Sequence, residues 1–130
     1  MKTILFTPNA PAPIGPYSQA VLINDTLYTS GQIAINPKTG ELVLQNIEVE
    51  TVQVMENLKA ILEVAGMTFD NVVKTTIFIS NMNDFGKINT VYGSYFKEET
   101  APARETVQVA RLPKDVNVEI SVIAFREENK

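Results

Sequence analysis

The hydrophobic positions of this chain recur with two different periods, and the change of period divides it into elements. Between residues 20 and 44 the apolar residues come in short extended runs. Ala20-Val21-Leu22-Ile23 and Leu27-Tyr28-Thr29-Ser30 flank Asn24-Asp25-Thr26, a turn-forming interruption, and this predicts a β-hairpin. Residues 31–35 continue extended to the turn Pro37-Lys38-Thr39-Gly40, and residues 41–44 follow it, so the first third reads as β. From 47 to 65 the period becomes helical. Val49, Val52, Met55, Leu58, Ile61, Leu62 and Ala65 recur at three- and four-residue steps, one face of an amphipathic helix. Asn46 suits its N-cap, Glu48 and Glu50 its first turn, and Gly66 the position just past its end.

Residues 72–80 are dense in β-branched side chains and predict a strand. Phe85, Ile88, Tyr92, Tyr95 and Phe96 mark a second helix with Asn83 as N-cap, and this aromatic stripe fits core packing rather than a cofactor site. Residues 104–110 and 116–125 alternate, joined by Pro113-Lys114-Asp115. The order predicts an α+β fold of two layers, a mixed β-sheet with two helices on one face. One face of that sheet is left uncovered. No repeat, charge block or low-complexity segment divides the chain, so residues 1–130 read as a single domain. Residues 7–16 (TPNAPAPIGP) carry proline at four of ten positions. Proline removes donors and restricts its predecessor, so this is an extended lead-in, read as a plain N-terminal arm in preference to a loop lining a site.

Composition narrows the chemistry. At 130 residues the chain suits one compact domain, and association with further copies would add to its stability. No apolar run approaches the ~20 residues of a membrane span. Met1-Lys2-Thr3-Ile4-Leu5-Phe6 runs straight into prolines, unlike a signal peptide, so the expectation is a cytoplasmic protein without a membrane partner. The sequence has no Cys and no His. That excludes disulfides, thiolate nucleophiles and zinc–thiolate sites, and removes the commonest general base and metal ligand. Neither metal nor cofactor is expected. A net charge of −4, with Lys and Arg scattered, weighs against a nucleic-acid partner.

The last two predicted strands carry the informative polar residues. On one, Arg104, Thr106 and Gln108 share a face opposite Val107 and Val109; on the other, Asn117, Glu119 and Ser121 lie opposite Val116, Val118, Ile120 and Val122. Arg104 and Glu119 are thereby expected on the polar side of neighbouring strands. An arginine fork matches a carboxylate, and a partly desolvated glutamate can act as general base towards water. A plain cross-strand salt bridge fits the same pattern, and periodicity alone favours it.

Several segments tip that balance. They are Ile14-Gly15-Pro16-Tyr17-Ser18-Gln19-Ala20, Thr29-Ser30-Gly31-Gln32-Ile33, Asn36-Pro37-Lys38-Thr39-Gly40, Val73-Lys74-Thr75-Thr76-Ile77-Phe78, Pro102-Ala103-Arg104, and Val109-Ala110-Arg111-Leu112-Pro113-Lys114-Asp115-Val116 with Glu119. In order and spacing they resemble the RidA (YjgF) family across essentially the whole chain. The resemblance implies a chorismate-mutase-like fold and a homotrimer whose sheets form a central barrel, with three clefts between neighbouring subunits. It implies hydrolysis of reactive 2-imino acids such as 2-iminopropanoate and 2-iminobutanoate to 2-oxo acids and ammonia, without metal or cofactor. Arg104 would hold the substrate carboxylate and Glu119 the attacking water. By motif position Tyr17, Ser30 and Gly31 would line the cleft, and Asn89 would come near it. Many members have Ser-Cys after the arginine where this chain has Glu105-Thr106. The resemblance therefore implies that Thr106 serves through its backbone, and alternation points Glu105 away from the Arg104 face.

Two rival readings remain. One is a non-catalytic regulatory module that binds small carboxylates; the presence of Glu119 beside Arg104 favours an enzyme, since carboxylate binding needs only the arginine. The other is a ribonuclease or translation inhibitor, a role also ascribed to relatives, against which the lack of His and the acidic balance both argue.

Overall fold

The computed structural model describes residues 1–127 as one mixed sheet with two helices. In chain order the elements are β1 (Lys2–Leu5), β2 (Ala20–Ile23), β3 (Thr26–Thr29), α1 (Ile47–Val64), β4 (Val72–Ile79), α2 (Phe85–Gly93), β5 (Ala103–Gln108) and β6 (Val118–Phe125). The strand order is β1-β2-β3-β6-β4-β5. Among the described residues only β4 and β5 pair in parallel, because α2 returns the chain to the end of the sheet from which β4 started. Among the described residues no helix is long and apolar enough to cross a membrane.

Alternation sorts the sheet into two faces. Ile77, Ile79, Val118, Ile120, Val122, Ala124 and Leu27 are buried against Val54, Met55, Leu58, Ile61 and Leu62 of α1 and Ile88 of α2. Each large apolar side chain buried this way contributes about 1.5–3 kcal/mol relative to exposure. The opposite face carries Ile4, Ile23, Tyr28, Val107 and Phe125, all exposed. The α+β prediction of two helices on one side of a mixed sheet holds.

Four local expectations are corrected. First, α1 is rotated about its axis: Val49 and Val52 are 39% and 41% exposed, while Glu50 and Thr51 are fully buried. The cause is polar. The Glu50 carboxylate accepts from the Asn117 amide N–H (2.8 Å), the Val118 N–H (3.3 Å) and Asn117 Nδ2 (2.7 Å). A buried carboxylate with three donors outweighs two valines on a helix that leaves one side in water. The predicted caps of α1 stand, with Asn46 Oδ1 accepting from Val49 N at 2.8 Å and Gly66 at φ +73°. Second, α2 is preceded by a single tight turn, Met82–Asp84, capped by Asn81 rather than Asn83. It ends at Gly93, and Tyr95 and Phe96 pack beyond it edge-on to Phe69, with centroids 5.2 and 5.3 Å away. Third, residues 31–35 and 41–44 form no strand: Gln32 makes a single bridge to Ile120 of β6, and Ile35 bridges only to Leu42 across the turn between them. Fourth, residues 2–5 do form a strand, pairing with β2 along their whole length.

Candidate functional site

Glu119 is built into the centre of the sheet. It pairs with Phe78 on β4, and its neighbours Val118 and Ile120 are turned into the core, so its side chain leaves on the open face. Beside it the β3–β6 ladder is interrupted. Tyr28 pairs with Ile123 and Gln32 with Ile120, so Thr29, Ser30 and Gly31 span a gap that Ser121 and Val122 fill on β6. That extra residue is a β-bulge. Thr29 Oγ1 repairs the ladder by accepting from Val122 N at 3.0 Å, and Ser30 Oγ donates to Ser18 O at 2.5 Å. The bulge brings Gly31 against the glutamate. A β-carbon there would lie 2.8 Å from Glu119 Cδ and 2.9 Å from Cγ, so only glycine allows this approach.

A cleft of about 490 Å³ opens over this point, and Tyr17, Ser30, Gly31 and Glu119 all line it. Its other walls are Pro11, Ala12 and Ile14 from the lead-in, Ile33 and Ile35 after the bulge, and Pro113 and Lys114. Half-buried among these groups, the Glu119 carboxyl is pushed above the usual carboxylate range, because burial disfavours its charged form. Lys114 and Asp115 both adopt left-handed backbone, φ +56° and +57°. Such residues cost about 1–2 kcal/mol each and need an external hold. Arg111 supplies it, gripping Asp115 through Nε–Oδ1 (2.5 Å) and Nη2–Oδ2 (3.1 Å) and holding that carboxyl below its ordinary value.

Arg104 belongs to a second group. It pairs with Thr75 on β4, whose side chain is buried on the helix face. Its guanidinium donates to Asn89 Oδ1 of α2 at 2.6 Å and stands 5.5 and 5.1 Å from the ring centres of Phe85 and Tyr92. Tyr92 is fixed in turn by a 3.0 Å bond from its hydroxyl to Thr75 Oγ1. Thr106 follows Arg104 on the same face, with its Oγ1 buried and unpartnered. Glu105 points the other way, as alternation predicts, and pairs with Lys74 at 2.7 Å.

The expected residues therefore fall into two sets, and one expectation is corrected. Arg104 and Glu119 are not on neighbouring strands, nor on one face. Strand β4 lies between β5 and β6, Arg104 leaves the helix side and Glu119 the open side. Counting residues fixes which side chains share a face within a strand, and says nothing about how two strands are phased against a third. No cross-strand Arg104–Glu119 salt bridge can form within one copy. The lead-in of residues 7–16, expected to be a plain arm, instead forms a wall of the cleft. Gln19 and Lys114 also line the cleft and were not singled out; the run of four prolines ahead of an otherwise apolar strand was the available signal for this wall.

Comparison with known proteins bears on this arrangement. The family model described as Endoribonuclease L-PSP matches residues 7–126. A RutC family protein of Pyrococcus horikoshii is 54% identical, over 98% of this chain and 100% of its own. The 2-iminobutanoate/2-iminopropanoate deaminase of Escherichia coli K12 is 48% identical, over 97% of this chain and 99% of its own. The crystal structure of E. coli TdcF with bound serine superposes with a TM-score of 0.90 at 45% identity, covering 96% and 99% of the two chains. With a fold, a family model and relatives that agree over nearly its whole length, this chain belongs to the endoribonuclease L-PSP family, the RidA or YjgF family.

Proposed function

We propose that this protein is a deaminase of reactive 2-imino acids, hydrolysing 2-iminopropanoate and 2-iminobutanoate to the 2-oxo acids and ammonia, as a homotrimer of a single RidA-like domain. The observation that carries this reading is Glu119: a half-buried carboxyl, its basicity raised by burial, packed on Gly31 at the wall of a cleft. Arg104, already oriented by Asn89, is the matching group for a substrate carboxylate. The two sit on opposite faces of the sheet, so a complete site takes Arg104 from one copy and Glu119 from another. The exposed apolar residues of the open face, Ile4, Ile23, Tyr28 and Phe125 among them, supply the surface such an assembly would bury. The E. coli relative that carries the deaminase name, and the relative crystallised with serine, an amino acid with an α-carboxylate, support the same reading.

The chemistry then balances simply. Arg104, with Asn89 behind it, pairs with the carboxylate of the imino acid. Glu119 takes a proton from water as the water oxygen bonds to the imine carbon. That proton passes to nitrogen and gives the amino-alcohol adduct. Glu119 then takes the adduct's hydroxyl proton and delivers it to the same nitrogen as the carbon–nitrogen bond breaks, so that ammonia leaves and the carbonyl of the 2-oxo acid remains. Tyr17 and the backbone around Ser30 and Gly31 flank the reacting carbon, and the backbone at Thr106 lies beside the carboxylate. Positioned acid–base catalysis supplies about 10²–10⁴-fold, enough for an imine that already hydrolyses in water. The test is the lifetime of 2-iminopropanoate and 2-iminobutanoate generated in situ by an amino acid oxidase. Wild type should shorten it catalytically and Glu119→Gln should not. An unchanged lifetime with folded wild-type protein would leave a carboxylate-binding module instead.

A further inference from the structure

The wall that covers Glu119 has almost nothing of its own to hold it. Pro8, Pro11 and Pro13 have no N–H to donate, and residues 7–16 join no ladder of the sheet. One side chain takes the place of a ladder. Gln19 is 2% exposed, and its Nε2 donates to Thr7 O (3.0 Å), Ala10 O (3.2 Å) and Pro11 O (2.9 Å), two amide hydrogens shared among three carbonyls. Its Oε1 accepts from Thr7 N at 2.7 Å. The same residue reaches the opposite wall through its backbone, where Gln19 O accepts from Ser30 N at 2.9 Å, next to the glycine that packs on Glu119. Both sides of the cleft thus converge on Gln19.

We propose that Gln19 is a positioning residue: its side chain fixes the proline-rich lead-in and its backbone fixes the bulge at Ser30 and Gly31, so that the two together keep water from the Glu119 carboxyl and shape the substrate's seat. This rests on Glu119 being the general base. The desolvation that raises the Glu119 carboxyl is then the work of this wall. The other titratable groups lining the cleft are Tyr17 from the lead-in and Lys114 from the turn Pro113–Asp115. On β4 the residue opposite Glu119 is the uncharged Phe78, and Lys74 further along is engaged by Glu105. None of these charges is removed when Gln19 is replaced.

The experiment uses the full chain with Gln19→Met, which keeps length and loses all four bonds. A double variant, Pro11→Gly with Pro13→Gly, loosens the wall while leaving Gln19 intact and carries the test if Gln19→Met does not fold. Three quantities are read: hydrogen exchange of the Asn9 and Ala10 amides, the titration midpoint of the Glu119 carboxyl by ¹³C NMR (assigned with Glu119→Gln), and kcat and KM. Exchange should quicken, and the midpoint should fall towards the ordinary carboxylate value. KM should rise by roughly tenfold or more as the seat loosens, with a smaller fall in kcat. Faster exchange with an unmoved midpoint would overturn the proposal, and so would unchanged exchange in Gln19→Met, since Gln19 would then not be what holds the lead-in. The titration needs no substrate. A wild type without imine hydrolysis would therefore sink the deaminase assignment alone, leaving the midpoint to decide on Gln19.

Discussion

The Glu119 cleft and the Arg104 edge are built on opposite principles. Glu119 lies on β6, with a strand on either side of it, and its carboxyl is half-buried beside a loop whose first half is held by Gln19 at residues 7, 10 and 11. Arg104 lies on β5, the last strand of the sheet, exposed, with Asn89 and two aromatic rings already in place. A carboxylate becomes a useful base by losing water, because burial raises its affinity for a proton. A guanidinium stays charged anywhere, so what it gains from the protein is orientation. Each group has the environment its proposed role asks for, and strand register places the two on opposite faces of the sheet. Only a second copy can bring them together.

The largest expected effect breaks or sharpens that division directly. Glu119→Gln and Arg104→Ala should each lower kcat/KM by a factor of about 10² or more. Mixed as unfolded chains and refolded together, the two inactive variants should recover about a quarter of wild-type activity, because one in four random interfaces then pairs an intact arginine with an intact glutamate. No recovery in mixed trimers would show that both groups act within one copy, against the geometry. Light scattering on each variant checks whether the proposed trimer forms.

The next effect separates the two regions by pH. Protonated Glu119 cannot accept a proton from water. kcat/KM should therefore fall by about tenfold per pH unit below the Glu119 midpoint, which burial sets above the ordinary carboxylate value of about 4.3. An acidic limb at or below the ordinary value would mean that the cleft does not desolvate its base.

These regions also differ in how far the sequence announced them. The Arg104 edge was almost fully legible: strand alternation put Arg104, Thr106 and Gln108 on one face, and the structure keeps them there. The pairing of that edge with Glu119 was not legible, since strand order depends on where α2 delivers β5 and on β6 entering between β3 and β4. The rotation of α1 was hidden for a related reason. Glu50 in a first turn looks like a helix-dipole residue, and only the donors at Asn117 and Val118, far along the chain, make it a core residue. The cleft wall was hidden because its holding bonds run from one side chain to carbonyls, which leave no periodic trace.

A smaller effect tests the cost of the desolvated base. The folded-state midpoint of Glu119 is raised, so between the ordinary carboxylate value and that midpoint the folded protein binds more protons than the unfolded chain. Stability is thus lost as pH rises through this window and stays reduced above it. Glu119→Gln escapes that loss. Its Tm should exceed that of wild type at pH 7, and the difference should vanish below about pH 4, where the carboxyl is protonated in both states. A Glu119→Gln variant less stable at pH 7 would mean that the carboxylate is held by favourable contacts.

The smallest effect lies at the Arg104 edge. Thr106 Oγ1 is buried without a hydrogen-bond partner, on the same face as Arg104. A buried hydroxyl left unpaired is a cost to the folded state, and valine has the same shape without it. Valine also suits a strand as well as threonine does. Thr106→Val should therefore leave stability unchanged or raise it by about 1 kcal/mol or less, read as a small upward shift in Tm. If the site uses this position through its backbone, activity should stay near wild type, and Thr106→Ala should likewise keep most of it. A hydroxyl reserved for the substrate predicts the contrary: Thr106→Val would keep its stability yet lose about tenfold or more in kcat/KM, about 1.4 kcal/mol. That outcome would make the edge a region that holds a polar group unsatisfied until substrate arrives.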